Sequence, residues 1–218
     1  MGGLNMDVLR NVILGFFSGI AIGIVAVIIY SDNKDENKYI ARDAYVYRIE
    51  SKYSKTREDL AMEVEKYINY IAPTSLVDPL MLVDLCSKYN VDIRFVLAQG
   101  QVESHFGTKG TAKRTNSVFN VKAYDNLSAE DQIKKGYGFQ HPNESIEPYL
   151  KLLTDNYLCG EKTVEDLLIK FVNSEGKRYA SNPKYEQMLI NCMDSIDNMT
   201  NISNLQDEYN MYKIQLGL

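Results

Sequence analysis

Apolar residues recur at the three- and four-residue spacing of an amphipathic helix along most of this chain. The first such face in the globular part consists of Leu60, Val64, Tyr67, Ile68 and Ile71. Thr56-Arg-Glu-Asp59 resembles a capping box, so the pattern predicts that this helix begins at Thr56. Pro73 follows the last apolar position and is expected to end it.

The same pattern predicts further helices downstream. Asp78 and Pro79 supply an N-cap and a first helical residue, and Tyr89-Asn90 closes that helix. Later helices are predicted over 143–157, from Thr163 onward, and over 184–197. The fold class expected is mainly α, with about seven helices around one core.

The stretch from Val91 to Gly107 predicts a short buried helix that ends on a carboxylate. Asp92 can cap its first turn, and Gly107 is the glycine expected just past its end. Glu103 lies on the last turn, next to a glycine- and threonine-rich loop. A carboxyl group at the end of an apolar helix is a good position for a proton donor. The helix buries one face, formed by Ile93, Val96, Leu97 and Gly100.

Helical periodicity disappears between Gly107 and Pro142, where Gly, Thr, Ser and Asn recur. Two β-prone pieces, 117–121 and 137–140, are expected to pair loosely. The segment predicts a small irregular, weakly β lobe on the helical domain. A long irregular segment beside a candidate catalytic residue is more often functional than incidental.

The N-terminal region predicts a membrane anchor. Val12 to Tyr30 is uncharged, rich in Ile, Val, Phe and Gly, and about long enough to span a bilayer as a helix. A cleaved signal peptide would have a shorter apolar region and small residues before the cut, and Ile28-Ile29-Tyr30 is bulky. We therefore expect an anchor over 1–30, a stalk over 31–55, a helical domain over 56–198 and a tail over 199–218. The tail either packs back as a helix or binds a protein partner that the sequence does not identify.

Composition excludes several classes of function. The 218 residues carry a formal charge of −5, which argues against a nucleic-acid surface. The three cysteines are too few and too widely spaced for a zinc pattern. No glycine-rich phosphate loop appears. We expect no metal and no cofactor.

Four motifs in order resemble the glucosaminidase family of the lysozyme superfamily. Leu97-Ala-Gln-Gly-Gln-Val-Glu-Ser-His-Phe-Gly107 is similar to its L-A-Q-x-x-x-E-S-x-x-G signature, and Asn116-Ser-Val-Phe-Asn-Val-Lys122 is similar to N-N-L-F-G-I-K. Glu144-Ser-Ile-Glu-Pro-Tyr-Leu150 is similar to E-S-I-x-x-Y, and Tyr179-Ala-Ser-Asn-Pro-Lys-Tyr185 to Y-A-T-D-P-x-Y. In two places the chain departs from these patterns: Asn120 stands where the family prefers glycine, and Ser181-Asn182 replaces Thr-Asp.

The resemblance implies a lysozyme-like fold and hydrolysis of the glycan strands of peptidoglycan by an endo-β-N-acetylglucosaminidase. It implies that Glu103 is the general acid and that Tyr179 is a second catalytic residue. Asn116, Phe119 and Tyr124 are the candidates for binding substrate. The expected location is a single-pass membrane protein attached through residues 12–30, with the N-terminus cytoplasmic and the catalytic domain outside.

The second carboxylate of the reaction stays open. An inverting enzyme needs a base about 6.5–9.5 Å from the acid, and a retaining enzyme needs a nucleophile about 5 Å away. The candidates are Asp125, Glu130 and Asp131 in the irregular lobe. Participation by the 2-acetamido group of the sugar would need none of them. A muramidase, a lytic transglycosylase and a non-catalytic wall-binding or assembly module remain as alternatives.

Overall fold

The computed structural model describes residues 34–121, 128–135 and 138–218. The chain divides into two compact units, residues 1–42 and residues 43–218. Described residues 34–42 of the first unit are helical. The second unit contains the candidate site and is described below.

The first helix, α1, is much longer than predicted, because it runs without a break from Lys34 to Ile71. The predicted start at Thr56 is wrong: this residue lies in mid-helix and is buried. No glycine or proline occurs between 34 and 71 to interrupt the hydrogen-bond ladder. The predicted boundary between stalk and domain therefore falls inside one helix, and Ile49, on the stalk side of it, is buried.

The next two helices begin where the sequence predicts, and the first of them also ends there. The second ends with His105, not the expected Gly107, as the left-handed residue at its C-cap. Helix α2 spans Pro79–Tyr89, and the side chain of Asp78 accepts hydrogen bonds from the amides of Leu80 and Met81. Asn90 ends it in the left-handed conformation. Helix α3 spans Ile93–Ser104, with Asp92 as its N-cap. The short loop 90–92 thus connects two helices whose ends are fixed by local side-chain chemistry.

The described parts of the irregular segment contain short helices rather than strands. Helix α4 spans Ala112–Thr115, α5 spans Ala129–Lys134, and a 3₁₀ turn spans Pro142–Ser145. The predicted β pieces are wrong over the described parts of 107–142, which contain no strand. Asn116 and Asn120 adopt φ values of 55° and 52°, which interrupt an extended run on both sides of Phe119.

Four helices complete the chain: α6 (Ile146–Asn156), α7 (Val164–Ile169), α8 (Tyr185–Met199) and α9 (Ile202–Leu216). Helix α3 is central, since α2, α8 and α9 all pack against it. Its residues Phe95, Val96, Leu97 and Ala98 have no exposed surface. Among described residues the only β pairing is an isolated antiparallel bridge between Val172 and Arg178. The mainly helical prediction is confirmed.

The C-terminal tail packs back onto the domain. Ile202 and Tyr209 of α9 are buried, and the Tyr209 ring stacks on Tyr53 of α1 at a centroid distance of 4.8 Å. The two hydroxyl groups are 2.8 Å apart. The C-terminal helix α9 is thus attached to α1 within the second unit.

The predicted anchor at residues 12–30 lies outside the described residues. Within the part of the chain that is described, no helix has both the length and the apolar character needed to cross a membrane.

Candidate active site

The end of α3 turns sharply and leaves Glu103 half-buried on the last turn. His105, Phe106 and Gly107 follow with φ values of 48°, 53° and 81°. The hydroxyl of Ser104 fixes this turn, because it donates to Val118 O at 2.6 Å and accepts from the Gly107 amide at 2.7 Å. Ser104 therefore joins the end of α3 to the segment that carries Phe119 and Asn120.

Both carboxylate oxygens of Glu103 accept hydrogen bonds. The hydroxyl of Tyr185, at the start of α8, donates to Oε1. The amide nitrogen of Asn120 donates to Oε2 at 2.9 Å and also to the backbone oxygen of Glu103 at 3.0 Å. The two hydrogen bonds to the carboxylate oxygens hold the carboxyl group in one orientation between α3, α8 and the 117–120 turn. The bond to the backbone oxygen keeps the Asn120 side chain in place.

A buried chain of polar groups supports this arrangement. Gln99 lies four residues before Glu103 on the same face of α3 and has no exposed surface. Its Nε2 donates to the Tyr185 hydroxyl at 3.1 Å, while its Oε1 accepts from the hydroxyl of Tyr149 in α6. Tyr149 thereby orients Gln99, Gln99 orients Tyr185, and Tyr185 orients Glu103.

Tyr179 belongs to an aromatic cluster next to this chain. Its ring stacks on Phe171 at 4.5 Å and on Tyr185 at 5.7 Å, and it meets Tyr157 edge-on at 5.4 Å. Burial raises the pKa of Tyr179 well above its ordinary value, and the nearby charge of Glu103 adds to the shift. Its hydroxyl is 3.4 Å from Phe119 O. The phenol is therefore neutral at ordinary pH, and its catalytic role stays a prediction.

The phenols of Tyr149 and Tyr185 are neutral for the same reason. Burial raises the pKa of each far above that of a free tyrosine, and the charge of Glu103 adds to both shifts. A neutral phenol keeps its proton as a hydrogen-bond donor. These two phenols therefore keep their protons over the pH range in which enzymes work.

The predicted substrate-binding residues have defined positions, except for Tyr124, which lies outside the described residues. Asn116 donates through Nδ2 to the backbone oxygens of Phe139 and Gln140, at 3.0 and 3.1 Å. The ring of Phe119 is buried and stacks on Tyr149 at 3.8 Å. In this arrangement Asn116 joins two loop segments and Phe119 belongs to the core. Direct contact of either with substrate stays a prediction.

The candidates for a second carboxylate are engaged in local contacts. Glu130 is exposed and forms an ion pair with Arg114 at 2.5 Å. Its pKa is lowered by backbone hydrogen bonding in the first turn of α5 and by this arginine. Asp131 accepts from the hydroxyl of Ser128 at 2.8 Å, within the cap of the same helix. Asp125 lies outside the described residues. The identity of the second carboxylate stays open.

Four residues that contact Glu103 or support its orientation are absent from the site that the sequence predicts: Gln99, Asn120, Tyr149 and Tyr185. Each lies inside one of the four motifs, so its position in the sequence was visible. What the sequence could not show is that these side chains converge on one carboxyl group. In the sequence, Asn120 is distinguished only as a residue that replaces the family's glycine.

Comparison with known proteins adds an independent finding. Residues 81–198 match the glucosaminidase family model, described as mannosyl-glycoprotein endo-beta-N-acetylglucosaminidase. The match covers more than half of the chain and includes every residue of the hydrogen-bonded chain around Glu103. No curated protein matches this sequence.

Proposed function

Because this chain belongs to the glucosaminidase family, we propose that it hydrolyses β-1,4 glycosidic bonds in the glycan strands of peptidoglycan, with Glu103 as the general acid. The observation that carries this proposal is the geometry of Glu103. Its carboxyl group is half-buried at the end of a core helix and is held through both oxygens by Tyr185 and Asn120. An acid held in one orientation can deliver its proton to one bond of a bound sugar strand.

The proposed reaction begins with Glu103 protonated. It donates its proton to the glycosidic oxygen as the C–O bond breaks, so that the leaving sugar departs as an alcohol. Water then attacks the anomeric carbon, either with the help of a carboxylate or after transient attack by the 2-acetamido group of the sugar. Tyr185 and Gln99 keep the acid in position, and we propose that the neutral Tyr179 contributes a hydroxyl group.

The test is zymography of the purified full chain on gels that contain peptidoglycan. We expect a clear zone for the wild type and none for Glu103→Gln, which keeps the shape but cannot supply the proton. Glu175→Gln is the matched control, because Glu175 is an exposed carboxylate in the 173–177 turn. Clearing by both the wild type and Glu103→Gln would refute the role of Glu103, and clearing by neither would support a non-catalytic wall-binding module.

Mass spectrometry of the released fragments identifies the bond. An endo-β-N-acetylglucosaminidase leaves N-acetylglucosamine at the new reducing end, and a muramidase leaves N-acetylmuramic acid there. A lytic transglycosylase would leave an anhydro sugar, lighter by one water molecule. We propose the first product, on the basis of the family.

We also propose that residues 12–30 anchor the protein, with the N-terminus in the cytoplasm and the enzyme domain outside the membrane. The substrate supports this orientation, since the cell wall lies outside the cytoplasmic membrane. A phosphatase that is active only outside the cytoplasm, fused after Leu218, should be active. An inactive fusion that is nevertheless expressed would contradict the orientation.

A further inference from the structure

Asn120 occupies a left-handed backbone position. Its φ of 52° lies in the left-handed region, which glycine adopts freely and other residues rarely do. Two hydrogen bonds fix the turn that holds it. The backbone amide of Asn120 donates to Ser117 O at 3.0 Å, and the Ser117 hydroxyl donates to Val121 O at 3.0 Å. The half-buried side chain of Asn120 therefore points toward Glu103 from a rigid turn.

Asn120 can offer the Glu103 carboxyl group only a donor. Its Nδ2 is shared between Oε2 and the backbone oxygen of Glu103, and a backbone oxygen accepts but never donates. This second contact fixes which end of the amide faces Glu103. A donor at Oε2 stabilises the ionised carboxylate more than the neutral acid, because the charged oxygen is the stronger acceptor.

The other carboxyl oxygen is less able to take the proton. Oε1 accepts from Tyr185, whose own oxygen already accepts from the buried Gln99. To turn the Tyr185 hydroxyl around, the buried chain that reaches Tyr149 would have to rearrange. Protonation of Glu103 therefore weakens the Asn120 contact, since a neutral carboxyl oxygen is the weaker acceptor.

We propose that Asn120 is a positioning residue that lowers the proton affinity of Glu103 and so sets the upper pH limit of hydrolysis. This inference rests on the function proposed above. With Asn120 in place, the acid loses its proton at a lower pH. Without it, Glu103 would remain protonated, and the enzyme active, at higher pH.

Tyrosines from three segments of the chain pack around this site. Tyr185 from α8, Tyr179 from the preceding loop and Tyr149 from α6 are all neutral phenols, as shown above. The pKa of His105, two residues along the chain, is lowered by burial and then by Lys109. His105 therefore needs its own control.

The experiment measures the titration midpoint of Glu103 directly, by carbon-detected NMR of the full chain labelled on glutamate carboxyl carbons. The resonance missing in Glu103→Gln identifies the group. We expect Asn120→Gly, which suits the left-handed backbone, to raise the midpoint by roughly one pH unit through loss of the donor. Asn120→Asp keeps the shape, removes the donor and adds a negative charge, so it should raise the midpoint further.

The alkaline limb of the kcat/KM profile should move up by the same amount in each Asn120 variant. The shift should persist when His105 is replaced by Asn, which tolerates the φ of 48°. An unchanged midpoint in both folded Asn120 variants would overturn the inference. The zymogram of Glu103→Gln tests the proposed function separately, so failure of one is distinguishable from failure of the other.

Discussion

The hydroxyl group of Tyr185 donates a hydrogen bond to Oε1 of Glu103, and its oxygen accepts one from Nε2 of Gln99 at 3.1 Å. One phenol thus joins the first residue of α8 to two residues of α3. Because Tyr185 is buried, this contact connects the candidate acid to the packing of the core rather than to solvent.

Tyr185→Phe should therefore impair both activity and stability. Hydrogen bonds to charged groups contribute about 1.5–3 kcal/mol, so we expect kcat/KM to fall by roughly 10- to 100-fold as the acid loses its orientation. The Gln99 donor left unpaired should cost about 1–3 kcal/mol of unfolding free energy. Lysis rates and urea denaturation measure the two effects. Tyr70→Phe, which alters an exposed phenol of α1, is the control and should change neither.

Gly100 should not tolerate a methyl group. A Cβ at this position would lie 3.0 Å from two ring atoms of Phe106 and 3.4 Å from the ring of Phe119. Phe106 is buried at a φ of 53° and has little freedom to move. Overpacking costs about 1–3 kcal/mol, while alanine gains about 1 kcal/mol in helix propensity. We expect Gly100→Ala to lower the melting temperature by a few degrees. A rise would show that Phe106 can shift at no cost.

Stability should decrease in acid through Glu186. This buried carboxylate accepts from the Phe171 amide at 2.9 Å and from Arg178 at 2.8 Å. Burial opposes its ionisation, but these hydrogen bonds and the charge of Arg178 lower its pKa overall. A lowered pKa in the folded state gives stability that is complete above the unfolded pKa, about 4.3, and is lost as the pH falls through the folded value.

Urea unfolding at pH 7 and at pH 3 measures this effect. We expect the unfolding free energy of the wild type to fall more steeply between these pH values than that of Glu186→Gln, which has no charge to lose. Equal decreases in the two proteins would show that other groups account for the acid sensitivity.

The C-terminal helix should be part of the folded domain. Tyr209 is buried, stacks on Tyr53 and shares a hydrogen bond with it, and burial followed by this bond raises the pKa of Tyr209 to about 12. Tyr209→Ala should cost about 3–5 kcal/mol of unfolding free energy through the cavity it leaves. Tyr209→Phe keeps the ring and should cost only about 0.5–1.5 kcal/mol. If both variants were as stable as the wild type, α9 would be a dispensable tail.

Much of the helical framework was predictable because its signals are local. Asp78 and Asp92 cap their helices, Thr163 forms a capping box with Asp166 where a helix is predicted to begin, and the apolar faces lie in the core. The start of α1 was not predictable, because a capping sequence inside a helix looks the same as one at its end. Whether Thr56 caps or continues a helix depends on the residues before it, which here carry the helix back to Lys34.

The sequence by itself determined the mainly helical fold, the family, and Glu103 as the candidate acid at the end of α3, since these depend on periodicity, caps and motifs within short stretches. Only the tertiary structure decided what surrounds that acid. Gln99, Asn120, Tyr149 and Tyr185 are separated by up to 86 positions along the chain, and they meet because α8 packs against α3 and α6 packs against α2. Hydrogen bonds between such distant residues leave no periodic trace in a single sequence. Packing alone brings their polar groups together around Glu103.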